Sequence, residues 1–492
     1  MSWTCLGSFS LTLSRTSKSK FRELRWSTRA CIVFMFCAAM TVVSPAQTFT
    51  TLVNFAGTNG SGPQAPLIQG FDGNFYGTTN GGATNSYGTV FKVSPTGTLT
   101  TLHNFALTDG SYPAVRLVQA ANGNLYGTTN VGGTAACPSN PTGGCGTVFK
   151  ITPAGALTTL HSFDGTDGYY PEAALVRATD GNFYGATLQG GTSNLGTIFK
   201  ITAAGTLTSL HSFDSTDGSS PSGGLVQATD GNFYGITYAG GASNDGTVFR
   251  ITATGALTTL HSFDGTDGAN SYSPLIQATN GELYGATAFG GANDCTLQGT
   301  VVGCGTIFSI TLAGALTTLH QFVSTDGAFP SVGLVQATDG SFYGTTYQGG
   351  ANSDGTVFEI TPAGVLATLH AFDSTDGVLP NALIQDTNGK FYGTTLFGGS
   401  GADGTVFSLA TGLHAFVEAQ PTSAKVGTKV IILGTKLKGT TAVSFNGTAA
   451  TFTVVSASEI TTTVPAGATT GKVKVTTLGG TLSSYVAFRV TP

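Results

Sequence analysis

The stretch ATDGNFYG, Ala178–Gly185, returns letter for letter at Ala228–Gly235. Looser copies read AANGNLYG from Ala120 and ATDGSFYG from Ala337. Aligned on the Tyr-Gly pair, the chain repeats seven times: Tyr76, Tyr126, Tyr184, Tyr234, Tyr284, Tyr343 and Tyr392 each precede a glycine. The steps are 50, 58, 50, 50, 59 and 49 residues, so two units carry an insertion of eight or nine. A period of this size is the signature of a solenoid or a propeller.

One unit shows the internal plan. Residues 174–213 hold four runs: ALVRA (Ala174–Ala178), NFYGAT (Asn182–Thr187), GTIFKIT (Gly196–Thr202) and TLTSLHSF (Thr206–Phe213). Their β-branched and aromatic residues suit short strands. Turn residues separate them, and nothing between has the length or 3.6-residue period of a helix. The prediction is an all-β fold, a seven-bladed β-propeller of ~50-residue four-stranded repeats. A parallel β-helix is the rival, but its coils usually repeat at shorter periods. Asp-Gly fits the tight hairpin between the first and second strands. The glycine after tyrosine is expected to let neighbouring backbone come close. The fourth run occurs eight times, with TTLVNF ending at Phe55 and GLHAF ending at Phe416. One of the two is expected to complete the last blade, and the sequence leaves open which.

Composition agrees with many short strands and turns. Glycine, 71 of 492 residues, is about twice its usual share, and charged residues are only 9%. Residues 1–46 differ from the rest: a basic lead, the apolar run Ala30–Val43, then Ser44-Pro45-Ala46 before Gln47. This is the pattern of a secretory signal peptide, and the run is short for a membrane span. The expected address is therefore outside the cell or at its surface, with no stable membrane span after removal. Without the leader, 14 basic and 24 acidic residues remain, a net charge of −10. No basic patch survives, so nucleic acid is not an expected partner. Four cysteines remain, Cys137 with Cys145 and Cys295 with Cys304, each pair inside one of the two insertions. In an exported chain they are expected to form local disulfides.

The recurring G-N-F-Y-G-T-T, G-T-V-F-K-I and T-L-H-S-F runs resemble the bacterial GloVer tandem repeats over residues 47–417. That resemblance implies an exported or surface protein and no defined activity. Such proteins often end in a sorting signal, and no hydrophobic, basic-tailed anchor is read at the end of this chain. From residue 418 the chain resembles an IPT/TIG domain, a small immunoglobulin-like sandwich. Its matching runs are Gly427–Gly434, Val443–Gly447, Val464–Ala468 and Gly471–Val475. The alternation Lys472-Val473-Lys474-Val475 suits a half-buried strand. Lys425, Lys429, Lys436, Lys438, Lys472, Lys474 and Arg489 place half of the remaining positive charge in this module.

In an up-and-down blade, loops alternate between two ends. The first-to-second and third-to-fourth loops are short and nearly constant. The second-to-third loops and the links between blades are variable. The variable end carries Tyr112, Tyr169, Tyr170, Tyr272 and Phe329 in links, and Tyr238, Phe289, Tyr347 and Phe397 in second-to-third loops. A constant end opposite a variable aromatic end is the pattern of a scaffold presenting a binding face. All seven histidines occupy one repeat position. Equivalent positions on seven blades converge only near the axis, so hydrogen bonding to a neighbouring blade is expected rather than a metal site. The repeated D-x-T-D-G lacks the third oxygen ligand and the closing Glu of an EF-hand calcium loop, and an Asx-turn accounts for it. No cofactor and no catalytic residue is assigned; Glu172 and Glu282 depart from the repeat without forming a pair. The expected role is a non-enzymatic module binding a glycan, another polymer or a surface protein. The alternatives are a polysaccharide-active enzyme and a purely structural envelope component.

Overall fold

The computed structural model describes residues 47–113, 115–138, 143–330 and 332–491. The leader at 1–46 lies outside them. Six repeats each form a four-stranded antiparallel sheet, the seventh forms a five-stranded one, and no helix occurs among the described residues. In repeat 3 the strands are Val176–Arg177, Phe183–Thr187, Thr197–Ile201 and Leu207–Ser212, side by side in chain order. The first strand is shorter than its sequence run. Leu175 has left the ladder and packs beneath Gly185, close to where a Cβ would stand.

The seventh sheet answers the question of the extra run. Its own strands are Val378–Pro380, Ile384–Gln385, Phe391–Phe397 and Thr405–Ala410, and its outer strand is Thr48–Asn54. Thr50 stands opposite Ser408 in that pairing. Gly412–Phe416 forms no strand. The arrangement is propeller-like.

The hairpin turn is a three-residue loop with glycine in the left-handed region. Ala178 N–H donates to Asn182 O, Gly181 N–H donates to Ala178 O, and Gly181 has φ +83°. A side chain there would meet no neighbour, so the backbone conformation alone favours glycine. Asp180 accepts hydrogen bonds from Asn182 N and from the Tyr184 hydroxyl, tying loop to strand. The glycine after tyrosine has a different reason, and the expectation of close backbone is corrected. A Cβ at Gly235 would lie 2.5 Å from the ring of Phe249 and 2.9 Å from Leu225. The position is empty to admit a third-strand phenylalanine lying across the sheet.

Hydrophobic clusters sit between neighbouring sheets. Tyr184 of repeat 3 stacks on Phe233 of repeat 4 at 4.1 Å, and Phe213 meets Phe249 edge-on at 5.4 Å. The same stack joins repeat 7 to repeat 1, Tyr392 on Phe75 at 4.1 Å. Burying each such ring contributes about 2–3 kcal/mol, so each sheet depends on its neighbour for its core.

The histidines mark the same joints on the outer strands. A bulge shifts the register between Ile198 and Phe199, whose partners are His211 and Ser209. It leaves Leu210 unpaired and re-aims the next side chain. His211 Nε2 then bonds Asp217 Oδ2 at 2.7 Å. The Asp217 carbonyl accepts from Thr247 Oγ1 of the following sheet. Six repeats have this pair, at 2.6–3.1 Å. The bond to a neighbouring blade is thus made through the aspartate of the link. The other carboxylate of D-x-T-D-G closes an Asx-turn: Asp214 Oδ1 accepts from Thr216 N and Thr216 Oγ1.

Both disulfides are formed, Cys137–Cys145 and Cys295–Cys304, each within a second-to-third loop. From Glu418 the chain builds two further four-stranded sheets and a parallel pair, Ser423–Lys425 with Arg489–Thr491, around a core that includes Val430, Phe445, Ile460, Val473 and Phe488. Val473 and Val475 face that core while Lys474 is exposed, as the alternation predicted.

Candidate functional site

The first strands of the repeats surround a cavity of about 1150 Å3. Its two ends differ. At the end formed by first-to-second turns, the C-terminal module is docked. Ser458 Oγ donates to Phe71 O, Phe416 N–H donates to Thr387 O, and Arg489 Nη1 donates to Thr229 O. Phe71 packs on Ile431 and Leu433. The module therefore sits on the constant turns, and Glu418, Gln420 and Thr422 from it help line the cavity. The uniformity of those turns thus has a second reason: they are a docking floor. The opposite end is rimmed by the variable links.

The nine aromatic candidates separate into two groups. Tyr112, Tyr272, Phe289, Phe329 and Tyr347 line the cavity, with Tyr112 and Tyr272 each 44% exposed. Tyr169, Tyr170, Tyr238 and Phe397 do not line it. Tyr169 is buried, with its hydroxyl on Asn194 Oδ1 at 2.8 Å, and its ring meets Tyr170 edge-on. Tyr238 backs the cavity-lining Tyr272, with ring centroids 4.7 Å apart. Phe397 is not in a loop; it extends the second strand of repeat 7 opposite Val378. Its exposure follows from alternation along that strand.

Backbone geometry singles out one link position. Tyr112, Tyr170, Ser220, Asn270, Phe329 and Leu379 all have φ between +51° and +59°, and repeat 1 has Gly62 at +62°. Left-handed backbone favours glycine or asparagine and costs bulky residues free energy. Tyr112 and Phe329 accept that cost at the mouth of the cavity.

Charged departures from the repeat line the same cavity. At the position of Arg116, the other repeats carry Pro66, Ala174, Gly224, Pro274, Gly333 and Ala382, all on the cavity wall. Arg116 is enclosed by protein, which pushes its guanidinium pKa down, yet its side chain stays accessible to the water of the cavity. It faces Glu418 of the C-terminal module without forming an ion pair. Burial raises the Glu418 carboxyl, opposed by the amide of Gln420 and the charge of Arg116. Glu172 accepts from Asn130 Nδ2 at 2.6 Å, and burial raises its carboxyl too. Arg177 breaks a second pattern. Elsewhere a first-strand glutamine accepts from a turn N–H of the preceding repeat, as Gln227 from Thr179 and Gln277 from Thr229. Arg177 stands in that glutamine's place. Arg116, Arg177 and Glu418 were missed in sequence, although aligning the repeats position by position exposes both arginines.

The profile of the Gloeobacter/Verrucomicrobia repeat matches residues 39–177, 136–301 and 295–455. No curated protein matches the chain. Among solved structures, a fungal alcohol oxidase of the AA5 family, in complex with copper, is similar in fold. Its TM-score is 0.50 at 13% identity, over 90% of this chain and 99% of that one. A proposed 6-phosphogluconolactonase from Bacteroides fragilis is 20% identical over 62% of this chain and 83% of its own, with a TM-score of 0.42. A gluconolactonase from Xanthomonas campestris is 15% identical over 54% and 78%, with a TM-score of 0.34. The cavity wall here presents no imidazole or thiol among the described residues, so it does not fit a copper site built on such ligands. By its repeats, which the family profile covers from end to end, the chain belongs to the Gloeobacter/Verrucomicrobia repeat family.

Proposed function

We propose that this chain is an exported seven-bladed propeller, residues 47–417, with an IPT/TIG-type immunoglobulin-like module from residue 418. Its function is to bind a glycan or related polymer at the variable mouth of the cavity, without turnover. The observation that carries this reading is a cavity walled by aromatic side chains at its mouth and floored by the docked module. Exposed Tyr112 and Tyr272 offer flat faces on which a sugar ring can stack. Concave, largely apolar walls with a few polar groups are the usual setting for ligand recognition. The two local disulfides suit an oxidising compartment. A glycan binding screen of the purified protein tests this, with Tyr272→Ala and Tyr347→Ala alongside. Saturable binding, weakened at least tenfold by either change, is expected. A blank on folded protein would move the assignment to a protein partner.

A second reading has one observation in its favour. Glu172 and Glu418 are cavity carboxyls whose pKa burial raises, a feature of acid–base sites. Product released from a bound polymer, and lost in Glu172→Gln, would establish an enzyme instead.

A further inference from the structure

We infer that Arg116 anchors a carboxylate-binding subsite in the cavity, and that the glycan it selects carries uronic-acid residues. The inference deepens the glycan-binding reading above and rests on it. Arg116 is a single cation in a ring of small residues. Its six equivalents are proline, alanine or glycine, so the wall recedes around the guanidinium and leaves room for a ligand. An arginine kept for structure is tied by its neighbours, as the histidines of the outer strands are tied to their aspartates. Among the described residues Arg116 has no hydrogen bond and no ion pair; only the more distant charge of Glu418 acts on it. Its planar fork of donors therefore stands in cavity water and matches the two oxygens of a carboxylate. Arg177, on the wall in the next repeat, adds a second cation from the neighbouring strand. The polar rim supplies groups for sugar hydroxyls: Asn80, Asn130 and Gln64 all line the cavity.

The test is calorimetric titration of the purified protein with tetragalacturonate and with a neutral galactotetraose. At least tenfold tighter binding of the uronate is expected, with a preference that shrinks as salt rises. Arg116→Ala should lower uronate affinity at least tenfold and so abolish the preference over the neutral sugar. Alanine already stands at Ala174 and Ala382, and a thermal melt confirms that the variant is folded. Arg116→Lys should restore only part of the preference, because it keeps the charge and loses the fork. Equal binding of both sugars would overturn the inference and leave the glycan reading intact. A preference that survives Arg116→Ala would overturn the role of Arg116. Binding of neither sugar would overturn both readings.

Discussion

The outer strands and the cavity wall of this protein are built from the same repeats and obey opposite rules. On the outside, the His–Asp pair recurs in six repeats with nearly the same geometry. On the wall, Arg116, Glu172 and Arg177 each occur once. The seventh joint shows how strict the outer rule is. Where histidine is replaced by Val53, the aspartate six residues on is replaced by Asn59. Asn59 Oδ1 still accepts from Ala56 N, as Asp109 Oδ1 does from Ala106 N. The capping bond stays while both charge partners disappear together. Recurrence in this chain thus marks what holds sheet to sheet, and solitary departure marks what faces the solvent-filled centre.

The comparison breaks most visibly if a recurring residue is removed. Phe249→Ala should lower stability by about 3–5 kcal/mol, read from urea unfolding. Filling the space that the ring occupies is the converse. Gly235→Ala places a methyl against Phe249 and Leu225 and should cost about 1–3 kcal/mol. A loss below ~0.5 kcal/mol in Phe249→Ala would deny the joint its role.

The charge pair offers a sharper trial. His211→Val should cost about 1 kcal/mol, because Asp217 loses its partner at a site only one-fifth exposed. Adding Asp217→Asn copies the seventh joint and should recover most of that loss. A double variant as unstable as the sum of its parts would show that the two side chains are uncoupled.

Asp386, buried behind the wall residue Gln385, probes the tolerance of a buried unpaired charge. Five of the other repeats carry alanine there. Asp386 is 3% exposed, and one of its oxygens has no hydrogen-bond partner. Burial raises its carboxyl from 3.8 to about 6. The folded chain therefore holds that proton more tightly than the unfolded chain does. Its contribution favours folding below pH 3.8 and is lost as pH rises through about 6. Asp386→Ala should stabilise the protein by about 1–2 kcal/mol at pH 7.5, with the gain vanishing near pH 4, as thermal melts across that range would read.

The smallest stability effect belongs to Tyr112→Gly. Releasing a left-handed backbone at φ 55° offsets the lost ring contacts, so the melting temperature should change little, by less than about 1 kcal/mol in equivalent terms. Glycan affinity should still fall. A variant that binds normally would return Tyr112 to a packing role.

Much of the fold was legible because the sequence writes each joint seven times. Tyr184, Phe199 and Gly181 could be placed in strand, strand and turn from spacing alone. The closing strand could not, since TTLVNF and GLHAF both satisfy the strand pattern and only pairing decides between them. The aromatic rim was half legible. Tyr112 and Tyr272 stand where loop alternation put them. Tyr169 was lost to a hydrogen bond with Asn194, and Phe397 to a strand that runs two residues longer than its run suggested. Glu418 was illegible in principle, because it reaches the cavity from a separate module whose docking no local pattern encodes.

The outer strand borrowed by repeat 7 makes the ring a latch. Thr50 must find Ser408, 358 positions away in sequence, at a loop-closure cost of about 5 kcal/mol. Until then the first strand and the last full sheet both keep open hydrogen-bonding edges. Such edges invite a strand from a second molecule. Crowded synthesis would therefore yield chains fastened end to end, each lending its first strand to the next, and dilution during refolding would return them to single closed rings.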